Sequence, residues 1–130
     1  VKNSSAGRKR ILVVEDEPAI GLVCQRVLAG EGFEVDIAVN GSAAQQMLEE
    51  KDYDLVLIDV RTPVMNGKEL YRWIMKEHPR KVNRVIFTTG DVLGGDIESF
   101  AKQTARPFLA KPFTPQELEA IVREALKEVE

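Results

Sequence analysis

Leu55-Val56-Leu57-Ile58-Asp59-Val60-Arg61-Thr62-Pro63-Val64-Met65-Asn66-Gly67 is the stretch on which the fold turns. Its first four residues form an apolar run too short for a helix face, and they suit a strand covered on both sides. The run ends abruptly in one acid, Asp59, and passes into a segment punctuated by Pro63 and Gly67. A buried strand that stops on a carboxylate places that carboxylate at the strand's carboxyl end.

The same grammar recurs on either side. Ile11–Val14 reads as a strand running into Glu15 and Asp16, Glu34–Val39 as a second, Val85–Thr89 as a fourth and Phe108–Ala110, followed by Lys111, as a fifth. Between them lie amphipathic segments. Ile20, Val23, Cys24, Val27 and Leu28 recur at helical spacing behind Pro18 and are closed by Gly30 and Gly32. Ala43, Ala44, Met47 and Leu48 mark a second helix. Asn66 with Glu69 makes a capping-box start for a third bearing Leu70, Trp73 and Ile74. Ile97, Phe100 and Ala101 mark a shorter fourth, and Thr114, Pro115 and Glu117 open a fifth carrying Leu118, Ile121, Val122, Ala125 and Leu126.

Five strand–helix alternations predict a doubly wound α/β fold, a parallel sheet with helices on both faces and right-handed crossovers. In such sheets ligands bind beyond the carboxyl ends of the strands. Glu15, Asp16, Asp59, Thr89 and Lys111 therefore collect on one rim. Three carboxylates gathered there repel one another. At an effective dielectric of about 20 and a separation of about 5 Å, each pair costs roughly 3 kcal/mol. A cation or a proton has to relieve them. Hard oxygen donors suit Mg²⁺, or Mn²⁺, and a site poor in His and Cys does not suit zinc.

Bulk composition narrows the class. With 130 residues, 44% hydrophobic and 30% charged, the chain has the make-up of one soluble globular domain. A formal net charge of −3 argues against direct nucleic-acid binding. A single cysteine, no signal-peptide pattern and no long apolar run lead us to expect a cytoplasmic setting without membrane insertion. Residues 1–9 read as a flexible arm or linker remnant and 10–130 as the domain. The opening Val1, in place of Met, suggests a processed chain or a piece of a longer one.

Four motifs, each at a strand end, now stand in order: Val13-Val14-Glu15-Asp16-Glu17, Ile58-Asp59-Val60-Arg61-Thr62-Pro63-Val64-Met65-Asn66-Gly67, Thr88-Thr89-Gly90 and Lys111-Pro112-Phe113. In this combination the chain resembles the receiver domain of response regulators, from about Arg10 to Val129. The resemblance implies a flavodoxin-like sheet in strand order 2-1-3-4-5. It implies Asp59 as phosphoacceptor from a phosphohistidine, on a histidine kinase or a histidine phosphotransfer domain. It further implies Mg²⁺ held by Asp16, Glu15, Asp59 and the Arg61 backbone carbonyl, with Lys111 and Thr89 on the phosphoryl oxygens. Phe108 stands at the switch aromatic's place. The surface of the fourth helix, fifth strand and fifth helix would respond, and is where a homodimer would form.

Two further expectations follow from the resemblance. The Lys111–Pro112 peptide should be cis, and Arg61 and Asp91, opposite charges two residues beyond Asp59 and Thr89, should pair across the site and slow hydrolysis. One departure stands out, because Thr62 replaces the family's usual Met before Pro63. The stretches around Thr89 and Lys111 look similar to receivers at the C-terminus of hybrid histidine kinases, against a stand-alone regulator as the alternative.

Rival readings fare worse. A haloacid-dehalogenase-type phosphatase wants an acid where Arg61 stands. A flavodoxin-like cofactor binder needs a glycine-bearing phosphate cradle after the first strand, where Glu15-Asp16-Glu17-Pro18 is anionic. A pseudo-receiver would lack some of the five rim residues, all of which are present. Cys24 reads as core, Trp73 as packed toward the sheet and His78 as a helix end.

Overall fold

The computed structural model describes residues 7–90 and 95–129. Five strands, β1 (Arg10–Val14), β2 (Glu34–Ala38), β3 (Leu55–Asp59), β4 (Val85–Thr89) and β5 (Phe108–Ala110), pair in parallel in the order β2-β1-β3-β4-β5. The helices are α1 (Pro18–Gly30), α2 (Gly41–Glu50), α3 (Gly67–Glu77), α4 (Gly95–Thr104) and α5 (Pro115–Val129). Among the described residues no helix is long and apolar enough to cross a membrane.

Strand side chains sort by parity, as a period of two demands. Leu12, Val14, Val56, Ile58, Val85 and Phe87 enter one core with Ala44 and Leu48 of α2, Leu70, Tyr71 and Ile74 of α3, and Ile97 and Phe100 of α4. Ile11, Val13, Leu55, Leu57, Ile86 and Leu109 enter the other, with Cys24 and Leu28 of α1 and Leu118, Val122, Ala125 and Leu126 of α5. Every residue of β3 and β4 is buried, so their unbroken apolar runs are what two covered faces require. The edge strand β2 is mostly half-buried, and it stops at Ala38, leaving Val39 exposed.

The caps match their sequence signals. The Asn66 side chain accepts from the Glu69 N–H at 2.9 Å, and Glu69 accepts from the Asn66 N–H at 3.0 Å. Thr114 and Glu117 repeat the arrangement at the head of α5. Pro18 sits in the first turn of α1, and Gly32 takes φ +97 just beyond its end. His78 caps the C-terminus of α3, where its ring lies 5.1 Å from that of half-buried Trp73. A 3₁₀ turn, Pro79–Arg84, carries the chain from α3 into β4 and was not anticipated from the sequence. The Lys111–Pro112 peptide is cis, as expected.

Candidate functional site

The rim is assembled by backbone bonds that continue the ladders past the strands. Glu15 N–H donates to the Ala38 carbonyl at 2.9 Å, Val60 N–H to Thr88 at 3.0 Å and Lys111 N–H to Thr89 at 2.8 Å. Glu15 and Lys111 therefore sit one residue beyond a strand, Asp16 two beyond, and Asp59 and Thr89 at the last residue of theirs. That is rigid support for side chains that must meet.

Four of them do. Carboxylate oxygens of Glu15, Asp16 and Asp59 lie within 4.8 Å of one another. Lys111 reaches into the cluster, with Nζ 2.7 Å from Glu15 Oε1 and 3.0 Å from Asp59 Oδ2. Glu15 and Asp59 are only 3% and 5% exposed, whereas Asp16 faces solvent. The second Asp59 oxygen, Oδ1, accepts the Arg61 backbone N–H at 3.1 Å, and Glu15 Oε2 accepts the Glu17 N–H at 3.2 Å. Both buried carboxylates are thus fixed in rotation by a lysine on one oxygen and a backbone donor on the other.

Charge and burial compete here. Burial pushes the Glu15 carboxyl above its ordinary range, bonds from Lys111 and the Glu17 amide pull it back, and the Asp59 charge pushes it up again. Burial alone would lower the Lys111 ammonium, but bonds to Glu15 and Asp59 outweigh it and hold the lysine above its usual value. One ammonium against three carboxylates leaves the cluster short of positive charge. Oxygen-only donors, with an exposed member leaving room for water, fit a hard divalent ion such as Mg²⁺.

Other residues named from the sequence stand further out. Thr89 is buried at the end of β4 and meets the site through its carbonyl bond to Lys111. Phe108, half-buried, packs its ring 4.9 Å from Phe87, with Phe100 and Tyr71 completing an aromatic cluster that reaches α4 and α3. Arg61 touches Asp59 through its amide, and Asp91 lies outside the described residues. An open groove of about 460 Å³ beside Lys111 is lined by Glu17, Ala19, Ile20, Val23, Pro112 and Phe113, and it is mostly apolar.

The family description "Response regulator receiver domain" matches residues 11–123. The chain belongs to that family. It is 35% identical over 120 residues to the DNA-binding response regulator MtrA of Mycolicibacterium smegmatis, covering 92% of this chain and 51% of that protein. Against the aerobic respiration control sensor protein ArcB of Escherichia coli it is 32% identical, covering 87% of this chain and 14% of the other. The receiver thus spans about half, or less, of these relatives. Among solved structures, a CheY-like receiver from Methanospirillum hungatei superposes with a TM-score of 0.85 at 30% identity, covering 94% and 96% of the two chains. The receiver domain of sensor histidine kinase PA1611 from Pseudomonas aeruginosa does so at 0.82 and 34%, covering 92% and 98%. That structure is described with a magnesium ion coordinated in its active-site cleft.

Sequence reasoning missed three contributors to the receiver site. Gly41 and Gly67 admit close backbone approach: a Cβ on Gly41 would lie 2.3 Å from the Met65 carbonyl oxygen, and one on Gly67 2.7 Å from Val60 Cα. Thr62, noted only as a departure, is buried and donates its hydroxyl to the Met65 carbonyl at 3.1 Å. Its replacement of an apolar residue by a donor was the available signal.

Proposed function

We propose that Asp59 accepts a phosphoryl group from a phosphohistidine, on a histidine kinase or histidine phosphotransfer domain, and that the modified receiver signals through α4, β5 and α5. The carrying observation is Asp59 itself, a buried carboxylate gripped by Lys111 and set beside Glu15 and Asp16. In this reading an Asp59 oxygen attacks phosphorus, the phosphorus–nitrogen bond breaks, and the pair of electrons leaves on the donor imidazole. Little covalent help is needed beyond alignment and charge neutralisation.

Asp16, Glu15, Asp59 and the Arg61 carbonyl would hold Mg²⁺ or Mn²⁺, which when bound neutralises charge on the transferring oxygens. Lys111 exchanges a carboxylate for a phosphoryl oxygen, and Thr89 offers its hydroxyl to another. Drawing Thr89 inward frees space for Phe108, whose packing on Phe87 and Phe100 ties it to α4. A second copy would pair through the α4–β5–α5 face. The donor module is expected to seat against the apolar groove beside Lys111, since transfer requires its imidazole at the same mouth.

The chemistry is regulatory, with no external substrate turned over. Residues 10–130 are assigned to the receiver, and the arm or linker remnant expected over 1–9 lies mostly outside the described residues, which begin at residue 7. The similarity to ArcB and to the PA1611 receiver supports a place within a hybrid sensor kinase, and that to MtrA a place in a regulator. A cytoplasmic setting follows in either case.

Incubation with acetyl phosphate and Mg²⁺, read by intact mass, tests the reading. One phosphoryl group should add to the wild type and none to Asp59→Asn or to the wild type in chelator. A label that survives Asp59→Asn overturns it, as does an unlabelled wild type.

A further inference from the structure

We infer that Thr62 is a positioning residue, whose buried hydroxyl locks the segment after β3 and thereby sets the orientation of the Asp59 carboxylate; this rests on the function proposed above. The segment is bent in a way its own residues disfavour. Val64 has φ +69, a left-handed conformation that β-branched side chains rarely adopt, and it is 80% exposed, so no burial offsets the strain. Its neighbours close a tight turn around it, with the Met65 N–H donating to the Pro63 carbonyl at 2.8 Å. Something else must hold this shape.

The Met65 carbonyl is where the hold is applied. It accepts the Gly41 N–H at 3.2 Å and the Thr62 hydroxyl at 3.1 Å. The first bond ties the turn to the head of α2, and the second draws its two ends together. Thr62 is 3% exposed, and its own N–H leans on the Asp59 carbonyl at 3.4 Å. Arg61 is thereby held between two anchored residues, with its N–H aimed at Asp59 Oδ1 at 3.1 Å. The backbone bonds are open to almost any sequence, but the hydroxyl bond exists only because residue 62 carries a side-chain hydroxyl. A Met there could not donate.

Thr62→Val removes the hydroxyl while keeping the shape, and Thr62→Ser keeps the hydroxyl. Two readouts separate positioning from plain stability. Hydrogen exchange of the Arg61 amide in metal-free protein should quicken in Thr62→Val, relative to the most protected amides of β3, and stay close to wild type in Thr62→Ser. Mg²⁺ affinity by calorimetry should fall about fivefold in Thr62→Val, the size of one lost neutral hydrogen bond, and recover in Thr62→Ser. A Thr62→Val protein whose unfolding midpoint drops while both readouts match wild type overturns the inference. A wild type that binds no Mg²⁺ would sink the proposed function instead, and the exchange arm would still decide the role of Thr62.

Discussion

Replacing Lys111 with Met keeps most of the buried stem and removes the charge that Glu15 and Asp59 share. Each of the two contacts, at 2.7 and 3.0 Å, corresponds to a gross attraction of about 6 kcal/mol at an effective dielectric of about 20. Desolvation of the three groups cancels much of that, and deleting one partner of a buried pair typically costs ~3–5 kcal/mol. We expect a loss near the lower figure, because Glu15 can take up a proton. Burial already raises its carboxyl above 4.5, and the bond from Lys111 is the largest influence opposing that rise.

The pH dependence fixes the sign. A carboxyl whose folded-state value is raised binds more protons folded than unfolded, so its contribution to stability falls as pH climbs from about 4.5 through the raised value. Without Lys111 that window extends upward, so Lys111→Met should be hurt more at pH 7.5 than at pH 5. A loss of ~3 kcal/mol at pH 7.5 corresponds to a melting-point drop of about 10 °C for a domain of this size. Saturating Mg²⁺ should restore about half of it, because the ion then meets no competing ammonium and binds roughly tenfold tighter. Thermal melts of both proteins at two pH values, with and without Mg²⁺, provide the assay. Equal losses at pH 5 and 7.5, together with equal gains from Mg²⁺, would show that Lys111 is a tether and that the charge argument is wrong.

Gly67→Ala should lower the unfolding midpoint by an overpacking cost of ~1–3 kcal/mol, since its Cβ would press 2.7 Å from Val60 Cα and 2.9 Å from the Asp59 carbonyl; an unchanged midpoint contradicts the contact. Ala105→Gly should stabilise by about 0.5 kcal/mol, because φ +55 after α4 is a position that favours glycine by slightly more than the added chain entropy costs. Denaturant titration checks it, and a fall in stability would count against it. Cys24 is buried and its thiol is pushed up to about 11, so a disulfide reagent at pH 8 should leave the native protein unlabelled and react fully once it is unfolded.

Much of the fold was legible because the strands carry their environment in their composition. β3 and β4 are apolar throughout since both faces are covered, and the acid after Ile58 could only mark an end. The 3₁₀ turn at Pro79–Arg84 has no apolar period to announce it, as none of its residues is fully buried. The site's acids and lysine were readable as strand-end positions. Its backbone donors were not, because the amides of Glu17 and Arg61 could have belonged to any residues at those places. The aromatic packing of Phe108 on Phe87 and Phe100 was hidden for another reason: its partners lie on different elements, and no spacing within the chain brings them together.

On the proposed function, charge explains why the site would use both a fixed lysine and a removable cation. With its carboxylates ionised, the cluster of Glu15, Asp16 and Asp59 keeps two formal negative charges after Lys111 is counted. In that reading a doubly charged ion would cancel them, and a phosphoryl group, itself carrying up to two negative charges, would then approach Asp59 without strong repulsion. Were two further permanent cations built in beside the lysine, the acids would be neutral without metal and the divalent requirement would vanish. On the proposed reading, the single ammonium therefore sets the order of events: metal first, phosphoryl group second.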